Sequence, residues 1–131
     1  MAILIVDDDN LLRETIKMFV SEVKQCPVDD AENGEVALQK LSQSKYDLMV
    51  TDWDMPVMGG KELVQRSIEL YPDMKIVVFS GSHISGEDRI PFIQYLRKPS
   101  DHERLADIIT STRIGCKRVQ RPENCDILNE V

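Results

Sequence analysis

The chain has 131 residues, 42% of them apolar, with 23 acidic against 16 basic side chains and a formal net charge of −7. That length and composition fit one globular domain around a single core. The negative balance argues against a nucleic-acid footprint or an anionic membrane surface as partner, and no apolar run approaches the length of a membrane span.

Residues 2–6, AILIV, form a continuous apolar run, as in a strand buried on both faces. Three aspartates cut it off after five residues, which argues against a signal peptide. Asp9 or Asn10 can cap the helix that follows, whose apolar stripe is Leu12, Ile16, Phe19, Val20 and Val23. Residues 25–29 read as a weak strand, with Pro27 suited to an edge because it lacks a donor. Asn33-Gly34 opens a second helix carrying Ala37, Leu38 and Leu41. Residues 47–51 form the next strand, and a third helix carries Leu63, Val64, Ile68 and Tyr71 before Pro72 ends it.

Residues 75–80, KIVVFS, are another buried strand, and residues 93–97 are a short one with edge-like alternation. Leu105, Ile108, Ile109 and Thr112 mark a last helix. Residues 1–114 thus read as one domain and 115–131 as a loose tail or linker. The basic cluster Arg113, Lys117, Arg118 and Arg121 reads as a solvated helix end. Cys26, Cys116 and Cys125 have no metal-site spacing and read as free thiols of a reducing, cytoplasmic compartment. His83 and His102 are isolated and receive no ligand role.

Five strands alternating with helices call for an α/β fold, a parallel sheet covered on both faces. Right-handed crossovers put every strand C-terminus on one edge, where ligands bind at the switch in strand order. At that edge the strands end in Asp7-Asp8-Asp9, Asp52-Trp53-Asp54, Ser80-Gly81-Ser82 and Lys98-Pro99. Carboxylates about 4 Å apart repel by roughly 4 kcal/mol at an effective dielectric of 20, so they need a cation. A hard divalent ion such as Mg²⁺ takes carboxylate, water and phosphate oxygens. An aspartate can also attack phosphorus to form an aspartyl phosphate, a reaction that needs mainly positioning and charge neutralisation. Asp52 follows the most central strand and is the expected acceptor.

These residues carry a family resemblance. LIVDDD (4–9), AENGEVAL (31–38), DLMVTDWDMPVMGG (47–60), IVVFSGS (76–82) and YLRKP (95–99) together resemble the receiver domain of two-component response regulators, in particular single-domain chemotaxis regulators, over about residues 2–113. The resemblance implies a flavodoxin-like, doubly wound five-stranded parallel sheet of order 2-1-3-4-5. It implies Asp52 as phosphoacceptor and Asp7, Asp8, Asp52 and the backbone carbonyl of Asp54 as the Mg²⁺ set, with Asp7 acting through water. Lys98 would contact the phosphoryl group, Ser80 would be the switch hydroxyl with the Gly81 N–H behind it, and Tyr95 the switch aromatic. Pro56 matches a turn proline after the acceptor, and Pro99 a proline after a cis peptide. Tyr95 as a packing aromatic without a switching role, and Trp53 as a turn aromatic beside the site, stand beside these assignments.

The function so implied is a phosphorylation-dependent switch. It would be charged by a sensor histidine kinase or phosphotransfer protein and act on a downstream protein, as a monomer or a phosphorylation-dependent dimer. No enzymatic turnover is implied beyond self-phosphorylation and autodephosphorylation. Two rivals share the residues: a partner-binding receiver without phosphorylation, and a phosphatase of haloacid-dehalogenase type, whose D-x-D nucleophile loop resembles Asp52-Trp53-Asp54 but follows the first strand.

Three features depart from the family pattern. Only 12 residues, 81–92, separate the fourth and fifth strands, enough for a shortened fourth helix or an irregular crossover. That puts the usual output surface in question and predicts a segment that reorders on phosphorylation. Gly59 stands where an acid usually caps the third helix, and Asp54 places a second carboxylate beside the acceptor.

Overall fold

The computed structural model describes residues 2–24 and 26–112, so the tail expected at 115–131 and its basic cluster lie outside the described residues. Chain order is β1 (Ile3–Val6), α1 (Asn10–Lys24), β2 (Val28–Ala31), α2 (Gly34–Gln43), β3 (Leu48–Thr51), α3 (Gly60–Leu70), β4 (Lys75–Ser80), β5 (Gln94–Arg97) and α4 (His102–Ser111). The strands form one parallel sheet of order β2-β1-β3-β4-β5. Among the described residues no helix is long and apolar enough to cross a membrane.

Alternation along the strands divides the core into two layers. Leu4, Val6, Met49, Ile76 and Val78 point to one face, where Ala37 and Leu41 of α2 and Leu63 and Val64 of α3 cover them. Ile3, Ile5, Leu48, Val50, Val77, Phe79 and Leu96 point to the other, under Ile16 and Val20 of α1 and Leu105 and Ile109 of α4. Both faces of β1 and β3 are therefore apolar, which is why these strands are unbroken apolar runs.

Some local readings shift, and two that stood open are decided. β2 runs over Val28–Ala31, later than residues 25–29, and Pro27 serves as an acceptor for the Ile3 N–H just before it. On α3 the buried face is Gly60, Leu63, Val64 and Ser67, while Ile68 is exposed. A 3.6-residue period carries position 67, not 68, back over the core. Asp9, not Asn10, caps α1, its carboxylate accepting from the N–H groups of Leu11 (3.0 Å) and Leu12 (3.3 Å). Between β4 and β5 the shortening goes to completion: residues 82–93 hold turns and no helix. Ile84, Ile90 and Ile93 pack on the α2–α3 face from this irregular segment. Gly59 caps α3 with no side-chain bond, as the missing acid implies.

Candidate functional site

Register brings the acids together. Val6 pairs with Thr51 across β1 and β3, so Asp7 and Asp52 are neighbours one step beyond the ladder. Backbone bonds continue that ladder, with Asp7 N–H donating to Ala31 O (3.1 Å) and Asp52 N–H to Val6 O (2.9 Å). Asp7 is 3% and Asp52 7% exposed, whereas Asp8 is exposed. One carboxylate oxygen from each of Asp7, Asp8 and Asp52 lies within 4.8 Å of the others. Three hard oxygen donors at that spacing, two of them buried, fit a small divalent cation such as Mg²⁺.

Lys98 arrives from beyond β5, its own N–H donating to Ser80 O at 2.9 Å. Its ammonium donates to Asp7 Oδ2 at 2.6 Å and lies 3.5 Å from Asp52 Oδ2. Burial disfavours its charge, but the hydrogen bond to Asp7 and the charges of Asp52 and Asp7 outweigh it, so the ammonium is held above the usual lysine value. The other oxygens are also engaged: Asp52 Oδ1 accepts from Trp53 N–H (2.7 Å) and Asp7 Oδ1 from Asp9 N–H (2.9 Å). The Lys98–Pro99 peptide is cis.

Ser80 is 1% exposed at the end of β4, and its hydroxyl accepts from Ser82 N–H at 3.2 Å. The Ser82 N–H thus engages the Ser80 oxygen, while Gly81, whose N–H is expected at the phosphoryl group, is exposed. Tyr95 is half-buried, edge-on to Trp53 at 5.7 Å between ring centroids, with the Arg89 guanidinium 5.2 Å over its ring. Its hydroxyl accepts from Ile90 N–H at 2.8 Å, which ties β5 to the irregular crossover. Asp54 is exposed, and its carboxylate accepts a hydrogen bond from the Ser82 hydroxyl.

Two contacts had no warning in the sequence. Ser82 reaches across from β4 to Asp54. Arg13 of α1 donates through Nη1 to the Asp7 carbonyl oxygen (2.6 Å), through Nε to Asp30 (2.8 Å) and through Nη2 to Asn10 (2.9 Å). Burial would raise the Asp30 carboxyl, but Arg13 and Lys17 outweigh it and hold it below the usual aspartate value.

Fold and site together define a doubly wound α/β domain with a cation-competent acidic pocket at its strand-order switch. The family described as "Response regulator receiver domain" matches residues 3–110. A protein-glutamate methylesterase/protein-glutamine glutaminase of Bacillus subtilis is 33% identical over 92% of this chain and 38% of its own length. The transcriptional regulatory protein DegU of Brevibacillus brevis is 30% identical over 82% of this chain and 48% of its own. The chain therefore spans less than half the length of these relatives. Among solved structures, a two-component transcriptional regulator of Clostridium phytofermentans superposes with a TM-score of 0.73 at 31% identity, covering 86% of this chain and 90% of that one. A response regulator of Thermotoga maritima in complex with Mg²⁺ and BeF gives 0.72 at 28%, covering 86% and 98%. The chain belongs to the response regulator receiver domain family, and its work is phosphorylation-dependent signalling in two-component systems.

Proposed function

We propose that this domain accepts a phosphoryl group on Asp52 from the phosphohistidine of a sensor kinase or phosphotransfer protein, and that the charged form has altered affinity for a downstream protein. The observation that carries this reading is the convergence of Asp7, Asp8 and Asp52 within 4.8 Å under a lysine that touches both buried acids. An Asp52 carboxylate oxygen forms the new bond to phosphorus as the phosphorus–nitrogen bond breaks, and the imidazole leaves with a proton. Lys98 neutralises charge on the transferred group, and the Ser80 hydroxyl, buried at the end of β4, turns toward it. Asp7, Asp8 and Asp52, with the Asp54 backbone carbonyl, would hold Mg²⁺, which supplies further charge neutralisation when bound.

The chemistry is stoichiometric, limited to self-phosphorylation and autodephosphorylation, and residues 1–114 carry it. The donor is a sensor histidine kinase, in line with a Vibrio harveyi relative named as a sensor kinase/phosphatase. The setting is the cytoplasm, without direct nucleic-acid or membrane contact, and the domain acts as a monomer or a phosphorylation-dependent dimer. Tyr95 is the relay to the output face: when Ser80 turns, Tyr95 loses its hold on Ile90, and residues 82–93 reorder. Unchanged hydrogen exchange over residues 82–89 with a phosphoryl mimic bound would refute that relay. The Asp54 carboxylate, pinned by Ser82, sets the lifetime of the phosphoryl group, and an Asp54→Asn variant with the wild-type dephosphorylation rate would refute it.

Intact mass after incubation with acetyl phosphate and Mg²⁺ tests the core of the proposal. A gain of one phosphoryl group, absent without Mg²⁺ and in Asp52→Asn, is expected; equal gain in Asp52→Asn would overturn the assignment.

A further inference from the structure

Arg13 lies in the first turn of α1, where the helix dipole and the three neighbouring aspartates set contrasting demands on a cation. Its side chain is only 12% exposed. Burial of a guanidinium is costly unless its donors are paired. Here the planar head is held by acceptors from three places: the Asp7 carbonyl oxygen beyond β1, Asn10 at the start of α1, and Asp30 on β2. Asp30 is opposite Ile5 in the β1–β2 register, so its end of the fork is anchored to the sheet itself. The opposite end grips the carbonyl of the peptide that joins Asp7 to Asp8. Rotation of that peptide would swing the two carboxylates relative to each other.

We propose that Arg13, braced by Asp30, is a positioning residue that holds the Asp7–Asp8 peptide in the orientation needed for both carboxylates to grip one divalent cation. The inference rests on the reading of Asp7 and Asp8 as cation ligands. It assigns Arg13 no contact with the cation. A guanidinium can do this where an ammonium cannot, because its fork reaches the three acceptors at fixed angles.

Positioning and simple electrostatics make opposite demands. If Arg13 acted only as a nearby positive charge, removing it would tighten Mg²⁺ binding. If it positions the peptide, removing it weakens binding despite the lost repulsion, by about tenfold as for groups that orient metal ligands. The test is calorimetric titration of the full chain with Mg²⁺, each variant first shown folded by its circular-dichroism melt. Arg13→Met is expected to bind about tenfold more weakly, Arg13→Lys to give little rescue, and Asp30→Asn to weaken binding in the same direction. Lys17→Met, which removes a cation that reaches Asp30 but not Asp7, is expected to stay within twofold of wild type. Unchanged or tighter binding by Arg13→Met overturns the positioning role. If Arg13→Met does not fold, unchanged binding by Asp30→Asn overturns it instead. A wild-type chain that binds no Mg²⁺ overturns the cation site, and the inference with it, whereas wild-type binding with unaffected variants overturns the inference alone.

Discussion

Replacing Lys98 with methionine probes the electrostatics of the pocket most directly. The ammonium is 2.6 Å from Asp7 and 3.5 Å from Asp52, and both acids are nearly inaccessible to water. Without it, two buried carboxylates within 4.8 Å of each other repel by ~3 kcal/mol at an effective dielectric of 20. Removing one partner of a buried charge pair costs about 3–5 kcal/mol. The pocket opens to solvent at Asp8, so the lower end applies: Lys98→Met should lose about 3 kcal/mol of stability without divalent cation. A divalent cation replaces the missing charge, so the variant should also bind Mg²⁺ more tightly and recover more stability from it than the wild type does. At a hundredfold excess over the dissociation constant the recovery is about 2.7 kcal/mol. Urea unfolding of both proteins with EDTA and with saturating Mg²⁺ gives all four stabilities. A loss below about 0.5 kcal/mol in EDTA, the size of an ordinary surface substitution, would refute the electrostatic account. So would equal Mg²⁺ sensitivity of the two proteins.

The same pair predicts a pH dependence. The Lys98 ammonium is raised in the folded state, so its stabilisation is complete below the unfolded lysine value of about 10.4 and fades as pH climbs through the folded one. The stability gap between wild type and Lys98→Met should therefore be flat from neutrality to about pH 10 and shrink above it. Asp30 behaves oppositely: its lowered carboxyl stabilises above the unfolded aspartate value of about 3.9 and the effect is lost as pH falls, so Asp30→Asn should flatten the acid limb of a urea-midpoint profile. Gly60→Ala would drive a Cβ into the Asp52 carbonyl oxygen and to 2.7 Å from Trp53 Cα, both backbone; a loss of about 2–3 kcal/mol in urea unfolding and slower phosphoryl gain should follow. Asn33→Ala removes the 2.9 Å cap on Val36 N–H and should cost about 1 kcal/mol by the same measurement. Tyr95→Phe frees the Ile90 N–H from a bond worth about 1 kcal/mol, so exchange at Ile90 should rise roughly fivefold by NMR.

Much of this protein is legible without coordinates. β1, β3 and β4 are apolar because neighbours cover both faces, and such strands announce themselves. Charged and hydroxyl residues at the C-terminal ends of parallel strands can occupy only one edge of the sheet, so Asp7, Asp52, Ser80 and, after the short β5, Lys98 could be placed in one crevice from chain order alone.

Other features depend on groups far apart in the chain. β2 starts late because the edge position needs only one partner, β1, whose register with Val28–Ala31 sets its bounds against a weak local pattern. The absent crossover helix reflects chain length. Thirteen residues, 81–93, must span from β4 to β5, and Ile84, Ile90 and Ile93 seal the core without helical geometry. Ser67 rather than Ile68 faces inward because the phase of α3 is set where Gly60 meets the backbone of Asp52 and Trp53. Arg13 read locally is one more surface cation on an amphipathic helix. Two of its acceptors lie outside its own helix, and only the packed sheet brings Asp30 under it and turns the Asp7 carbonyl toward it. Periodicity and strand-end chemistry are local and survive in one dimension; hydrogen bonds between elements depend on distance and angle in three, and the tertiary structure alone decided them.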